Sequence, residues 1–286
     1  MITAASLVHI DAEAFADSFA RRSILVQHSL VDHPLFTLEA LAELADRLPT
    51  SSVLRKQGQA PIDRSRDPVD VDAGDEPPSA SVLDVERNGR RIVLQDIQQI
   101  PEYADAVNQC LDQVEPLVAA QEGGMQFRTG YIFISGPTSA TPMHFDPEHS
   151  FLLQLRGTKH VSVAAFPNDH AKLGLELERY LDGEQCDFQA MQTVAETFQI
   201  DPGLGVYLPS FIPHWVETEG DVSVSFSIPF YTRGCRRAQG VYGVNSWLRK
   251  AKLSPRPLGE SDPVDATKST LFHFLRTARY GRRKLG

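Results

Sequence analysis

The sequence predicts a mainly β fold with helical additions: a sandwich or barrel of short antiparallel strands, flanked by N-terminal and C-terminal helices. Three observations predict it. Short runs rich in β-branched and aromatic residues recur between residues 130 and 228, separated by Gly and Pro turn signals. The segments on either side carry apolar residues at helical spacing. The chain has 286 residues, 42 % hydrophobic and 23 % charged, enough to bury a sizeable core without disulfide or metal staples. The expected organisation is an N-terminal, mostly helical region (1–120) with a mobile loop at 51–79, a β core (121–235) and a C-terminal helical region (236–286).

The first helix is expected over Leu35–Leu48, with Thr37 as its cap, Leu38 and Leu41 facing inward and Pro49 as its stop. Residues 51–79 are rich in Pro, Asp, Gly and Ser and read as a long loop. A helical pattern returns over Ile100–Ala120, with Pro101 at its start. Gly130–Ser135 reads as a strand. Phe151–Leu155 and His160–Phe166 read as two strands joined by a tight connection at Arg156–Lys159. Residues 169–197 interrupt the strands with helix and loop. Gly205–Leu208 and the alternating run Val222–Ile228 follow as strands, and helices return around Asn245–Lys252 and Ser269–Tyr280.

Net charge is −9, which makes nucleic acid an unlikely partner because phosphate binding needs a positive field. Against that balance the last stretch, Phe274–Lys284, is basic and Asp67–Glu76 is acidic; both read as solvated surface. The three cysteines, Cys110, Cys186 and Cys235, are far apart in sequence and suggest neither a disulfide framework nor a thiolate zinc site. The sequence shows no secretory signal and no apolar run of membrane-spanning length, so the expected setting is cytoplasmic and reducing.

The segment richest in chemistry is Thr141-Pro-Met-His-Phe-Asp-Pro-Glu-His149. His144 and Asp146 are two apart, so an extended chain presents both on one face. His214 follows a strand and a proline-fixed turn 70 residues later and is the candidate third ligand. Two histidines and one carboxylate on one face of an octahedral ion leave open positions, the arrangement suited to non-haem Fe(II). His149 is the main competitor, but its spacing from Asp146 turns it to another side. His160 and His170 are weaker competitors, and His9, His28, His33 and His273 have no companions at ligand spacing.

These residues, with Phe151-Leu-Leu-Gln-Leu-Arg-Gly-Thr-Lys159 and Gly203–Val216, resemble the JmjC/cupin-like (cupin-8 type) Fe(II)- and 2-oxoglutarate-dependent oxygenases. The resemblance is to the group that includes the asparaginyl hydroxylase of hypoxia-inducible factor, and covers roughly residues 127–231. It implies a double-stranded β-helix, or jelly roll, with His144, Asp146 and His214 as metal ligands and catalytic residues. His144 and Lys159 are 15 residues apart, as the family's first metal histidine and cosubstrate lysine are. The resemblance therefore implies that Lys159 and Thr141 grip the far carboxylate of 2-oxoglutarate. A surface lysine at a hairpin is the other reading of Lys159. Arg233, the first arginine after His214, lies too far along the chain to replace it. Ser150 and Ser225 stand where the family often carries asparagine, and Phe145 where tyrosine is common. The serines keep a donor but shorten the reach, so contact with the cosubstrate would run partly through water. Tyr131 adds a hydroxyl or packs in the core; Phe211 and Trp215 wall the pocket or pack.

The leading expectation is an oxygenase that hydroxylates a C–H bond of a protein side chain or small molecule, with release of succinate and CO2. The alternative is a non-enzymatic cupin-like protein that binds metal and ligand as a regulator. A sugar-cupin isomerase or dioxygenase would show a denser histidine cluster. The loops 51–79 and 169–197 are the expected lids. By resemblance, the C-terminal helices imply a homodimer.

Overall fold

The computed structural model describes residues 7–56, 76–137, 139–164, 170–183 and 194–283. Most of the loop expected at 51–79, much of the 169–197 segment, Cys186 and the end of the basic tail lie outside these. Among the described residues are ten strands: β1 (Val8–His9), β2 (Ile24–His28), β3 (Val53–Lys56), β4 (Arg91–Leu94), β5 (Tyr131–Ser135), β6 (Ala140–His144), β7 (His149–Ala164), β8 (Val194–Ile200), β9 (Leu204–Leu208) and β10 (His214–Phe230). They form one antiparallel sheet in the order β1-β2-β9-β7-β10-β5-β4-β3, with β6 added on β10 and β8 on β7.

The sheet folds back on itself because β7 and β10 are long and bent. Two strands with a tight connection were expected around Arg156–Lys159; β7 instead runs unbroken for 16 residues. The turn signal Gly157 marks a bend. Its φ is +69°, and a Cβ there would sit 2.7 Å from the Val222 carbonyl oxygen, so glycine lets the two backbones close up. Opposite it the register jumps: Glu219 pairs with Thr158, but Val224 pairs with Arg156. The extra residues on β10 bulge and turn both strands through a corner. The first half of β10 and second half of β7 join β6 and β8 in one layer. The other halves join β5 and β9 in the second. This is the expected double-stranded β-helix.

The N-terminal 120 residues hold the expected helices. Thr37 accepts a hydrogen bond from the Ala40 N–H, and helix α2 (Leu38–Arg47; α1 is Ala12–Ser18) ends just before Pro49 with Leu41 and Leu44 fully buried. Helix α5 (Pro101–Asp112, after α3, Pro78–Leu83, and α4, Val85–Asn88) starts at Pro101, and α6 (Glu115–Glu122) follows. The same region also donates strands to the sheet. Arg91-Ile-Val-Leu94 explains why: Ile92 and Leu94 enter the core shared with the helices, while Arg91 and Val93 point to the opposite face.

Helix α7 (His170–Leu181) lies in the segment that interrupts the strands. Helices α8 (Arg233–Lys250) and α9 (Asp262–Arg283) are longer than the sequence suggests. Gly240 and Gly243 look like helix breakers in isolation, but they lie where α8 meets Ser269 and Phe272 of α9, too close for a Cβ. No helix among the described residues is long and apolar enough to cross a membrane.

Candidate metal centre

His144 is the last residue of β6, His214 the first of β10, and the two are direct partners in the antiparallel register. Asp146 follows β6 two residues on. A nitrogen of each histidine and a carboxylate oxygen of Asp146 all lie within 4.8 Å of one another. Asp146 Oδ2 is 3.7 Å from His144 Nε2 and 3.6 Å from His214 Nε2. The other ring nitrogens are occupied by backbone: His144 Nδ1 bonds the Pro142 carbonyl at 2.8 Å and His214 Nδ1 the Ile212 carbonyl at 3.0 Å. Such bonds make Nδ1 the donor and leave both Nε2 lone pairs aimed at one point. Burial, then the neighbouring His144, pushes His214 down to about 4, so it is neutral and able to ligate at neutral pH.

A strained turn holds His214 in place. Phe211 has φ +59°, a conformation that bulky residues rarely adopt. Its N–H donates to the Asp146 carbonyl at 2.6 Å, which ties the turn before His214 to the backbone of Asp146. Its ring packs with Phe145, Leu173 and Leu177. Phe211 and Trp215 are therefore packing residues: neither lines the cavity, and Trp215 sits between His214 and Val216, which face the other way.

These three side chains open onto a cavity of about 350 Å³ between the two layers. Of the residues expected to meet a cosubstrate, Lys159, Thr141, Ser150 and Tyr131 line it. Lys159 is 4 % exposed, so the hairpin-surface reading fails. Its Nζ donates to Ser225 Oγ at 2.6 Å, and Ser225 donates in turn to Gln154 Oε1 at 2.6 Å. The Gln154 amide nitrogen bonds the Arg156 and Gly157 carbonyls and Ser223 Oγ, anchoring the chain at the corner of β7. Ser225 thus sits behind Lys159 and positions it, outside the set of cavity-lining residues. Ser150 is bonded to Ser227 at 2.9 Å. Burial, and then the positive charge of Arg91, lowers Lys159 to about 7.

The competing histidines are accounted for. His149 is fully buried and stacks on Phe19 at 4.8 Å between ring centres, and Nδ1 meets Tyr207 Oη at 2.8 Å. His160 bonds Glu219 at 2.7 Å, and His9, His28, His33 and His273 bond to nearby side chains or backbone. The side chain of His170 lies outside the described residues. Arg233 lies beyond β10, at the start of α8, as expected.

Sequence reasoning missed Arg91, Phe133, Glu148 and Tyr180, which also line the cavity. Glu148 is pushed up to about 7 by burial and by Asp146. It stands two residues beyond Asp146, the same spacing that joins His144 to Asp146, and that was the available signal. Tyr180 comes from α7, so the interrupting segment does contribute a wall.

Residues 107–236 match the JmjC domain family. The chain is 31 % identical over 108 residues to Jumonji C domain-containing protein 5 of Drosophila melanogaster, a match covering 34 % of this chain and 26 % of that protein. It is also similar to Escherichia coli YcfD, a ribosomal oxygenase, with a TM-score of 0.52 and 13 % identity over 93 % of this chain and 66 % of that one. The structure of YcfD with cobalt and 2-oxoglutarate gives a TM-score of 0.54 and 14 % identity, covering 94 % of this chain and 67 % of YcfD. The chain thus spans about two thirds of YcfD, and its match to the fly protein about a quarter of that protein. At these identities the likeness to YcfD is one of fold.

Proposed function

We propose that this chain, with its match to the JmjC domain family over residues 107–236, is an Fe(II)- and 2-oxoglutarate-dependent oxygenase that hydroxylates a C–H bond. One observation carries the reading: two inward-facing imidazoles and one carboxylate converge beside a buried lysine in a single cavity. The donor set fits the metal. It has two neutral nitrogens and one oxygen, with backbone carbonyls fixing both rings. The lysine fits the cosubstrate, because a buried ammonium calls for an anion to offset its desolvation. That YcfD is bound to cobalt and 2-oxoglutarate in a matching fold supports the same assignment.

In this reading His144, Asp146 and His214 hold Fe(II), and Lys159 and Thr141 take the distal carboxylate of 2-oxoglutarate. With both bound, such a site supplies oxidative hydroxylation coupled to release of succinate and CO2. The chain's part is geometric. Ser225 and Gln154 hold Lys159 in its rotamer, the antiparallel register fixes the spacing of the two imidazoles, and Leu152, Leu208 and Val216 keep water from the reacting centre. We take the substrate to be a protein side chain, since YcfD is a ribosomal oxygenase. We place the enzyme in a reducing cytoplasmic setting, consistent with Cys110 and Cys235 as buried free thiols. We further propose a homodimer through the C-terminal helices.

The test is succinate release from 2-oxoglutarate in the presence of Fe(II). Wild type is expected to release it, and Asp146→Ala to fall to background. Equal release from both would remove the triad from the reaction.

A further inference from the structure

Glu148 lines the cavity and has no task in the reading above. It stands one residue before β7 and two beyond Asp146. Its oxygens do not join the His144, Asp146 and His214 atoms that lie within 4.8 Å of one another, so it is beside the candidate metal centre and outside it. Its Oε2 is buried and has no hydrogen-bond partner among the described residues. The Tyr231 hydroxyl meets the carboxylate, and Gln239 of α8 meets that hydroxyl; neither residue lines the cavity, so the side chain is held from outside it.

The register of β10 separates Glu148 from Lys159. Lys159 reaches Ser225, whereas Glu148 precedes His149, the partner of Phe230. From Ser225 to Phe230 the strand runs about 17 Å, at about 3.4 Å per residue. The lysine and the carboxylate therefore meet the cavity from separate stretches of its wall, and a group seated at Lys159 leaves Glu148 to a second ligand.

An ionised carboxylate oxygen only accepts hydrogen bonds, and burying it without a donor forfeits its hydration. A leucine in its place would carry no such cost. An N–H donor brought in by a substrate restores the missing bond, and in a water-poor cavity that bond is strong. An aliphatic side chain leaves the oxygen unpaired, and an acidic one is repelled by it.

We infer that Glu148 is a specificity-determining residue: it accepts a hydrogen bond from an N–H donor on the substrate side chain, and so selects side chains ending in guanidinium or carboxamide over aliphatic and acidic ones. This rests on the oxygenase reading above and names what that site accepts.

The test is binding, in the absence of turnover, to the full chain loaded with Zn(II) and 2-oxoglutarate. The probes are short peptide pools, random except for a fixed central arginine, glutamine, norleucine or glutamate, and the fraction retained is read by mass spectrometry. Wild type is expected to retain the arginine and glutamine pools about tenfold over the other two, the scale of one buried hydrogen bond to a charged group. Glu148→Leu should abolish that preference while Zn(II) and 2-oxoglutarate bind as before. Glu148→Gln keeps an acceptor and should keep the glutamine pool while losing much of the arginine pool; it carries the test if Glu148→Leu does not fold. Equal retention of all four pools by wild type, or the wild-type preference surviving in Glu148→Leu, would overturn the role of Glu148 and leave the oxygenase reading standing. Weakened Zn(II) binding in the Glu148 variants would make Glu148 part of the metal centre and overturn it as well. Failure of the Zn(II)-loaded wild type to bind 2-oxoglutarate would overturn the underlying reading, and this inference with it.

Discussion

His149 shows how a residue beside a metal motif can be excluded as a ligand and still matter. It is three residues from Asp146, yet the first residue of β7 turns it away from the cavity into a stack with Phe19, Phe230 and Tyr207. Nδ1 accepts from the Ser210 N–H at 3.3 Å and lies 2.8 Å from Tyr207 Oη, so the ring is held as a neutral acceptor. Burial pushes it down to about 3, from an ordinary 6.5. The sign follows from proton uptake. Between those values the unfolded chain binds a proton at this site and the folded chain does not, so its contribution to stability is full above about 6.5 and is lost as pH falls toward 3. Each tenfold difference in proton affinity is worth about 1.4 kcal/mol. Urea unfolding from pH 7 to pH 4 is expected to show falling stability, with a shallower slope in His149→Phe, a substitution suited to the aromatic stack. An unchanged slope would assign the acid sensitivity to His214 or His28, which burial also lowers.

The bent strands carry the site, and they show where sequence reading reaches its limit. The pairing of His144 with Asp146 was legible, because alternation along an extended chain is local. So was His214 as the third member of the cluster, because prolines mark its turn. The continuity of β7 was not. Arg156-Gly-Thr-Lys159 has the composition of a hairpin, and what makes Gly157 a corner is the bulge on β10, more than 60 residues away. Arg91 was hidden for a similar reason. A four-residue strand between helices gives too short a period to recognise, and its cavity face exists only once β4 pairs with β5. The corner makes a prediction. Gly157→Val imposes a β-branched residue at φ +69° and drives its Cβ into the Val222 carbonyl. The expected loss is about 2 kcal/mol or more, read as a lower urea midpoint with unchanged slope. The chain that starts at Lys159 and ends on the Arg156 and Gly157 carbonyls should loosen with it, so 2-oxoglutarate binding is expected to weaken more than metal binding. Wild-type stability in this variant would show that the corner does not depend on glycine.

At the scale of the whole molecule, the C-terminal helices pose a question of association. Helix α9 packs on α8 through Phe272, which sits against Gly243 and Trp247. Its other side leaves Leu271, Phe274 and Leu275 between 37 % and 69 % exposed, at the spacing that forms one helical stripe. Phe274 also lines a surface groove with Arg236, whose guanidinium lies 4.6 Å over the ring of Phe127, itself 62 % exposed. An apolar stripe continuous with such a groove is the kind of surface that a second copy buries. Electrostatics works the other way: each chain carries a net charge of −9, so two copies repel, and only screening over about 8 Å at physiological salt lets the apolar contact decide. Two results follow if the stripe is the interface. Light scattering of wild type should give twice the 31.7 kDa chain mass, with the dimer favoured as salt is raised. Phe274→Glu places a carboxylate in the stripe and should yield a monomer with an intact fold and unchanged succinate release, since none of the described side chains of α9 lines the cavity. A wild-type monomer at tens of micromolar would dismiss the dimer, and a Phe274→Glu dimer would move the interface off this helix.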